Sequence, residues 1–447
     1  MTAPTAAAVP YDRSAVTAGI VHLGVGGFHR AHQAVYVDDL LRTGATEWGI
    51  CGVGVLPGDV RMRDALAAQD HLFTVVVKHA DGTREPRVVG SVVDFLFAPD
   101  DPEAVLERLA APTTRIVSLT ITEGGYTVPS TTFDYLVEAL SRRRARGLPP
   151  FVVMSCDNIL GNGHVARSAL LSAATGDLAE WIASEVAFPC SMVDRITPVT
   201  TDADRAELLE GSGIDDAWPV VCEPWTQWVL EDHVGRPDWA GVGVQVVDDV
   251  EPYELMKLRL LNCSHQALTY LGYLAGHRYA HDVCAEDLFR DFLLAYMRQT
   301  LPTLRPVPGV DLDAYQHALV DRFANPAIGD TLARLCAETS DRICNWMVPV
   351  ATELLAQDLP VDLIALVIAS WRRYARGVDE QGQPIEVVDS RREQVMTAAQ
   401  SADPLDFLRD RALFADLVDD PRFTTPYLAA VTSLDEVGAR QTLINGS

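Results

Sequence analysis

The feature that most constrains the fold is a change of pattern near Glu251. Before this point, short runs of β-branched and apolar residues alternate with segments of helical period, and after it helical patterns follow one another to about Leu417. The alternation predicts parallel strands joined by crossover helices, which form a doubly wound sheet. We therefore expect an α/β protein in which residues 1–250 form a Rossmann-type domain and residues 251–447 form a mainly α-helical domain.

The elements of the first half follow from the same patterns. The predicted strands are Gly19–Leu23, Gly49–Val55, Ile116–Ile121 and Phe151–Ser155. The predicted helices are Gln33–Arg42, Pro102–Ala110, Thr132–Arg144 and Val165–Ala173. A hairpin of Leu72–Lys78 and Pro86–Val93 is predicted around the turn Asp81-Gly82. Ligands of such sheets bind beyond the carboxyl ends of the strands, so we expect the site where the two halves meet.

Composition excludes several classes of partner. A net charge of −26 disfavours binding to nucleic acid or to an anionic membrane, because such binding needs clustered Lys and Arg. No run approaches roughly 18 consecutive apolar residues, and the N-terminal residues lack the basic and apolar regions of a signal peptide. The eight cysteines are scattered without the spacing of a zinc site, which predicts buried thiols and no metal. We expect a cytoplasmic protein whose partner is a small molecule.

A glycine-rich turn follows the first predicted strand. It reads Gly24-Val25-Gly26-Gly27-Phe28-His29-Arg30 and precedes a helical run, which is the position of a dinucleotide-binding loop. Glycines allow the backbone to approach the pyrophosphate closely, and His29 and Arg30 can approach a phosphate. Because His29 replaces the third glycine of the regular fingerprint, an ordinary glycine turn is the alternative interpretation.

NAD recognition usually needs a carboxylate after the second strand, which accepts hydrogen bonds from the adenosine ribose. Asp59 is available there, although it follows the glycine turn by more than the roughly 20 residues expected. The alternative is that Asp59 caps the N-terminus of the helix that comes next.

A helix predicted at Tyr253–Leu271 carries polar side chains on a mainly apolar surface. At about 100 degrees per residue, Glu254, Lys257, Asn262 and His265 share one broad face. Buried polar groups need partners, and a cleft between domains can supply them. The alternative is a structural ion pair between Lys257 and Glu254, three residues earlier.

Oxidation of a secondary alcohol needs a base for the hydroxyl proton and donors that stabilise charge on the oxygen. Lys257 can be the base if its neutral form is accessible near neutral pH. The amides of Asn262 and of Asn158, which follows a predicted strand, can be the donors, and His265 can position the hydroxyl.

Six segments together resemble the long-chain polyol dehydrogenase family, which includes mannitol 2-dehydrogenases, arabinitol dehydrogenases and fructuronate reductases. They are GVGGFHRAHQ (24–33), SLTITEGGY (118–126), CDNILGNG (156–163), SMVDRITP (191–198), EPWTQWVLED (223–232) and KLRLLNCSH (257–265). They keep the order of the family and cover most of the chain. The resemblance implies a Rossmann-type N-terminal domain, a helical C-terminal domain, NAD as the cofactor and a monomer.

The resemblance also implies roles for individual residues. It assigns Lys257 as the general base, Asn158 and Asn262 as the pair that stabilises the oxyanion, and His265 as a residue that orients the substrate. Glu254 matches a glutamate that governs the exit of the proton to solvent.

Further residues of the family pattern concern the substrate and the cofactor. The resemblance makes Asp194 an acceptor for a substrate hydroxyl, Asp59 a contact of the adenosine ribose, and Glu123 a pocket residue that we group with the cofactor contacts. Arg334 matches an arginine that contacts the polyol. Arg342 stands where a lysine is expected, and a planar guanidinium does not replace a point charge.

The chain departs from the family just after Tyr126. Only the short link Thr127–Thr131 precedes the next helix, whereas many relatives have a longer insertion. If that insertion encloses the site, the substrate preference here can differ.

The function predicted from these features is zinc-independent, NAD-dependent oxidation of a polyol to a ketose, with D-mannitol and D-fructose as the favoured pair. Oxidation of D-arabinitol and reduction of fructuronate are alternatives, and a uronate would need a cation such as Arg334 or Arg342 for its carboxylate. An alternative of another class is a nicotinamide-binding protein without turnover. A zinc-dependent dehydrogenase is disfavoured by the lack of a cysteine-rich metal pattern.

Overall fold

The computed structural model describes Pro4 and residues 9–446. The chain divides into two compact units, the N-terminal unit of residues 1–254 and the C-terminal unit of residues 255–447.

The N-terminal unit is built around a parallel sheet. The strands of the whole unit, which form three sheets, are β1 (Ala18–Leu23), β2 (Gly49–Gly54), β3 (Phe73–Lys78), β4 (Arg84–Val89), β5 (Val92–Phe97), β6 (Ile116–Leu119), β7 (Val152–Ser155), β8 (Ser191–Asp194), β9 (Val220–Cys222), β10 (Gln227–Glu231) and β11 (Gln245–Val247). The five-stranded sheet has the order β5-β2-β1-β6-β7, and every neighbouring pair is parallel. All six residues of the central strand β1 are buried, as a parallel sheet covered on both faces requires.

Helices cover both faces of this sheet. They are α1 (Gly27–Ala31), α2 (Gln33–Arg42), α3 (Val60–Ala67), α4 (Pro102–Ala110), α5 (Thr131–Ala145), α6 (Asn162–Ala173) and α7 (Gly176–Glu185). A further helix, α8 (Asp202–Ser212), packs through Leu208 on Val76 of β3 and Val221 of β9. Ile20 of β1 shares one apolar core with Leu40 of α2, while the next residue, Val21, shares the other core with Leu136 of α5. Successive side chains of a strand point to opposite faces, so the two cores are the two sides of one sheet. The predicted doubly wound fold is confirmed.

The predicted hairpin is present, but its second strand was predicted too long. β3 and β4 pair in antiparallel register from Phe73 opposite Val89 to Lys78 opposite Arg84. The apolar run that follows belongs to β5, an edge strand of the parallel sheet that the sequence pattern merged with the hairpin. Gly90 separates the two strands, because its N–H donates to Asp38 Oδ1 at 3.0 Å instead of continuing the ladder.

The C-terminal unit consists of helices. From α9, which spans the unit boundary, they are α9 (Glu251–Met256), α10 (Cys263–Leu274), α11 (Ala280–Cys284), α12 (Asp287–Thr300), α13 (Leu312–Phe323), α14 (Leu332–Cys336), α15 (Thr339–Arg342), α16 (Val348–Ala356), α17 (Asp362–Ala375), α18 (Arg392–Ala399), α19 (Arg411–Phe414) and α20 (Pro421–Asn445), which is interrupted at Gly438. α10 is buried over nearly its whole length and packs against α12, α14 and α17. Among the described residues, no helix is both long and apolar enough to cross a membrane.

The helix predicted at Tyr253–Leu271 is not a regular α-helix. Between α9 and α10, residues Lys257–Asn262 form a π-helical turn, and the Cys263 N–H donates to Leu258 O five residues back. A spacing of about 100 degrees per residue holds for α-helices, so the spacing from which the shared face of the polar residues was predicted does not hold within this turn. We call residues 257–262 the first π turn and the similar turn at Ile343–Met347 the second π turn.

Candidate active site

The glycine turn after β1 has the backbone geometry of a close-approach loop. Gly24 has a φ of +93°, and a Cβ atom there would lie 2.2 Å from Thr120 O, so only glycine fits. Gly26 differs, because within 4 Å of its ideal Cβ position only Gly24 O is found, at 3.8 Å. Gly27 is similarly unconfined, with its nearest atoms at 3.7 Å. The turn therefore leaves room for the pyrophosphate of a dinucleotide above Gly26 and Gly27, and the residues fit NAD.

The side chains after these glycines take structural positions. His29 is fully buried and stacks on His22 with ring centroids 3.5 Å apart, and burial holds the pKa of its imidazole well below the ordinary value. The guanidinium of Arg30 is buried too, donating to Trp218 O and lying 5.5 Å from the Phe73 ring centroid. Neither side chain is placed to meet a phosphate from solvent. We therefore keep only the backbone of this turn as a cofactor contact.

A buried polar network supports the turn from below. His22 Nδ1 lies 2.8 Å from Ser118 Oγ, and His22 Nε2 lies 2.9 Å from Thr120 Oγ1. Thr120 Oγ1 donates to Gly24 O at 2.7 Å. Burial lowers the pKa of His22 to about 3, so the ring is neutral at physiological pH. The network fixes the carbonyl of Gly24, the glycine of this turn that no residue with a Cβ atom can replace.

Asp59 lies just beyond the carboxyl end of β2. It is the residue before α3, but its side chain makes no capping hydrogen bond to that helix. Its half-buried carboxylate instead accepts from the Leu56 N–H through Oδ2 at 2.9 Å, which caps the 3₁₀ turn Pro57–Asp59 that runs into α3. The predicted N-cap bond to α3 is absent, but the carboxylate caps the turn that precedes this helix, and its role at a ribose stays a prediction. Phe28, a predicted cofactor contact in the glycine turn, stacks its ring on the His32 ring with the two centroids 5.0 Å apart.

The loop after β6 is held by a carboxylate that sequence reasoning missed. Asp157 is buried, and its two oxygens accept from the Ile121 and Thr122 N–H groups at 3.0 and 2.9 Å. Tyr126 Oη donates to Asp157 Oδ2 at 2.6 Å. Burial raises the pKa of Asp157, while these hydrogen bonds act in the opposite direction. Glu123 lies in this loop with its side chain exposed to solvent.

A second overlooked residue, Asn162, ties the loop after β7 to β8. It is fully buried, and its Nδ2 donates to Asp157 O at 3.0 Å and to Ser191 O at 2.7 Å. Its Oδ1 accepts from the Ser191 N–H at 2.9 Å. Asn158 lies within the loop that these bonds fasten. The signal was available in the sequence, since both overlooked residues stand in the segment CDNILGNG.

Asp194 is the last residue of β8 and lies in the same unit. It is buried, and Trp225 Nε1 donates to its Oδ2 at 2.9 Å. The neighbouring Arg195 is held by Ala31 O and Glu223 O, at 2.6 and 3.2 Å. A buried carboxylate with an oriented oxygen can accept a hydrogen bond from a hydroxyl group.

Glu254 has a defined contact at the start of α6. Its two carboxylate oxygens accept from the Gly161 N–H at 3.1 and 3.2 Å, and the side chain is buried. Gly161 has a φ of +61° and precedes α6 directly. Glu254 therefore fastens the far end of the loop that carries Asn158.

In the C-terminal unit, Lys257 and Asn262 are the first and last residues of the first π turn. Lys257 is buried, and Asn262 is half-buried. Asn262 Oδ1 is itself buried and has no hydrogen-bond partner among the described residues. An amide with unused hydrogen-bonding capacity at such a position is suited to a polar ligand.

His265 lies one turn further along, in α10. Burial lowers the pKa of its imidazole to about 3, and the Arg334, Arg322 and Arg342 charges act in the same direction against Asp330. Its ring lies 4.2 Å from the Phe323 ring, centroid to centroid. A neutral imidazole has one donor and one acceptor nitrogen, which suits contact with a hydroxyl group.

The two predicted arginines already have partners. Arg334 donates from Nε and Nη2 to the two oxygens of the buried Asp330, at 2.8 and 2.6 Å. Arg342 Nη1 donates to Leu335 O at 2.7 Å. The charge of Arg334 is therefore balanced within the unit, which makes it a poor receptor for the carboxylate of a uronate.

No metal site is evident in the part of the chain that the structure describes, where no group of three or more His, Cys, Asp or Glu side chains could hold a metal ion. All eight cysteines are free, seven of them buried. Zinc independence stays a prediction.

Comparison with known proteins identifies the family. The model of the mannitol dehydrogenase Rossmann domain matches residues 18–241, and that of the mannitol dehydrogenase C-terminal domain matches residues 249–435. Mannitol 2-dehydrogenase of Aspergillus fumigatus is 46% identical over 472 aligned residues, covering 97% of this chain and 94% of that protein. The alignment is longer than the 447 residues of this chain, so the fungal protein has segments that this chain lacks.

Two solved structures have the same fold throughout. The ternary complex of Pseudomonas fluorescens mannitol 2-dehydrogenase with NAD and D-mannitol has a TM-score of 0.89 at 43% identity, covering 99% of this chain and 96% of that one. Substrate-free D-sorbitol dehydrogenase also has a TM-score of 0.89, at 34% identity, covering 99% and 97%. The predictions of an NAD-dependent dehydrogenase and of its resemblance are confirmed. The chain belongs to the mannitol dehydrogenase family.

Proposed function

We propose that this chain is a zinc-independent mannitol 2-dehydrogenase, which oxidises D-mannitol to D-fructose with NAD. The observation that carries the proposal is 46% identity over nearly the whole chain to a mannitol 2-dehydrogenase, together with Lys257 and Asn262 on one π turn and His265 one turn away. A neutral polyol also agrees with the balanced charge of Arg334.

The use of lysine in this chain supports a chemical role for Lys257. The 36 basic residues include only two lysines, Lys78 and Lys257, and the rest are arginines. Lys78 is paired with Asp204. A guanidinium cannot lose its proton near neutral pH, whereas a buried amine can. The position of the proposed base thus holds one of only two lysines, and an arginine at this position could not accept the proton of the substrate.

The reaction divides between groups of the chain and the cofactor. Bound NAD supplies the nicotinamide ring that accepts the hydride from C2 of the polyol. Lys257 takes the proton of the C2 hydroxyl, so the C2–H and O–H bonds break while a C=O bond forms. The Asn158 and Asn262 amides donate to the oxygen as negative charge develops on it. His265 and Asp194 orient the other hydroxyl groups.

The remaining assignments complete the proposal. The turn at Gly24–Gly27 admits the pyrophosphate, and the carboxylate of Asp59 accepts from the adenosine ribose and disfavours a 2′-phosphate. Glu254, placed beside the Asn158 loop, passes the proton from Lys257 towards solvent. Arg334 contacts the far hydroxyl groups through the part of its guanidinium that stays exposed. We further propose that the protein acts as a monomer in the cytoplasm.

The test is an assay of purified protein with NAD and D-mannitol, D-sorbitol or D-arabinitol, and with the reduced cofactor and fructose or fructuronate. Absorbance of the reduced cofactor follows turnover, and a parallel assay contains a metal chelator. We expect the highest kcat/KM for the mannitol and fructose pair and no effect of the chelator. A higher value for another polyol or for fructuronate would correct the substrate, and no turnover with any of them would reject the proposal.

A further inference from the structure

The two π turns differ in their local cause. The second π turn runs directly into Pro349, whose ring lacks an N–H and clashes with the carbonyl four residues back in a regular helix. A widened turn before this proline relieves the clash. The second π turn is therefore explained by its own sequence.

The first π turn has no such cause. Its sequence, KLRLLN, contains neither proline nor glycine, and leucine, lysine and arginine favour a regular α-helix. The Cys263 N–H nevertheless bonds to Leu258 O rather than to Arg259 O. π turns are rare overall, but those that exist often lie at functional sites. Because the sequence of the first π turn favours a regular helix, contacts with residues outside the turn must stabilise it.

Arg259, in the middle of the first π turn, makes such contacts. Its Nη1 and Nη2 donate to the two oxygens of Glu353, both at 2.6 Å, and Nη1 also donates to Thr303 O at 2.6 Å. The Arg259 side chain is buried, and Glu353 lies on α16, which follows the second π turn directly. The two π turns pack against each other. We call Arg259, Glu353 and Thr303 the arginine clamp.

We propose that Arg259 is a positioning residue, and that the arginine clamp holds the widened turn in which Lys257 and Asn262 share one face. In an α-helix, residues five apart are separated by about 140 degrees. In a π turn, the backbone N–H of a residue bonds to the carbonyl five residues back, so Asn262 lies about one turn beyond Lys257 on the same face. The clamp thus places the base and an oxyanion donor on one substrate oxygen, which rests on the function proposed above.

The test compares clamp variants with a matched pair elsewhere in the same unit. Arg259→Met removes every hydrogen bond of the clamp, Glu353→Gln removes its negative charge and one of two acceptor oxygens, and Arg259→Lys keeps one contact with Glu353. Arg376→Met breaks the pair of Arg376 with Asp435, which has the same two-bond geometry at 2.7 and 2.8 Å but lies between α17 and α20. Each protein is assayed for kcat, for KM of D-mannitol and NAD, and for Tm.

We expect Arg259→Met to lower kcat by up to about 10²-fold, the effect of a misplacement near 1 Å, and Glu353→Gln to lower it less, with an unchanged KM for NAD in both. Arg259→Lys should recover part of kcat. Arg376→Met, which breaks a more exposed pair, should lower Tm no more than Arg259→Met does and should leave kcat within about twofold of wild type. Adding Asn262→Ala should cost less in Arg259→Met than in wild type, because the two changes remove one arrangement. Equal kcat in the clamp and control variants would overturn the proposal.

A crystal structure of Arg259→Met, which lacks all hydrogen bonds of the clamp, gives a readout that does not depend on activity. We expect the Cys263 N–H to donate to the backbone carbonyl at position 259, as in an α-helix, and a retained bond to Leu258 O would overturn the proposal. If the wild type turns over no polyol, the proposed function fails, and this hydrogen bond still decides whether the clamp holds the turn.

Discussion

The two units secure their candidate site residues in different ways. In the N-terminal unit, the glycine turn and the loops after β6 and β7 are fixed by hydrogen bonds between the ends of neighbouring parallel strands, such as Thr120 with Gly24 and Asp157 with Ile121. In the C-terminal unit, the turn that carries Lys257 is braced by Arg259 and Glu353, which are 94 residues apart. The loops are thus fixed by the strand order of the parallel sheet, whereas the irregular helical turn depends on an ion pair between packed helices.

Among the variants that test the difference between the two units, Lys257→Ala is expected to have the largest effect on kcat. Loss of a general base should lower kcat by about 10²- to 10⁴-fold, while the Kd of NAD stays unchanged because the glycine turn is untouched. Lys78→Arg is the control, since it keeps the ion pair with Asp204 and should retain kcat. Stopped-flow kinetics measure kcat and a titration measures the Kd of NAD for both variants. A loss of NAD affinity as large as the loss of kcat would contradict the assignment of catalysis to Lys257 and of NAD binding to the glycine turn.

Gly24→Ala should act on the other unit. The new Cβ would lie 2.2 Å from Thr120 O at a φ of +93°, so we expect a loss of roughly 1–3 kcal/mol of stability together with weaker NAD binding. Gly26→Ala is the matched control for folding, because its Cβ meets nothing closer than 3.8 Å. It should keep the Tm and still weaken NAD binding. Normal NAD affinity in Gly26→Ala would contradict the close approach of the pyrophosphate.

Asp59→Ala should change cofactor choice without changing the fold. Removal of the carboxylate deletes its repulsion of a 2′-phosphate, so we expect the preference for NAD over NADP to fall about tenfold. The ratio of kcat/KM for the two cofactors measures the effect. An unchanged ratio would remove Asp59 from the ribose site.

The smallest expected effect concerns pH. His29 is buried with its pKa well below 6.5, so the unfolded chain binds the extra proton and stability falls as pH falls through 6.5. One such group should cost about 0.8 kcal/mol between pH 7.5 and 6.0. His29→Phe keeps a ring against His22 and should reduce the loss of Tm over this range. The same loss of Tm in variant and wild type would show that His29 does not contribute.

Prediction from sequence succeeded where a pattern is repeated locally. The bounds of α2 and α4 were predicted to the residue, because the apolar period lies within each segment and Asp101 caps the start of α4. The strand Val92–Phe97 was merged with the hairpin, because its partners in the sheet lie far away in sequence. His29 and Arg30 were predicted at a phosphate, and their burial depends on Phe73 and Trp218, which no local pattern reveals.

The sequence by itself determined the doubly wound sheet, the helical second half and the segments that carry the candidate site, because periodicity and glycine placement follow from local sterics. The tertiary structure decided how those segments are held. Asp157 and Asn162 became fasteners of the Asn158 loop only when strands far apart in the chain came together. The π turn at Lys257 was decided in the same way, because its own residues favour a regular helix and its brace comes from α16.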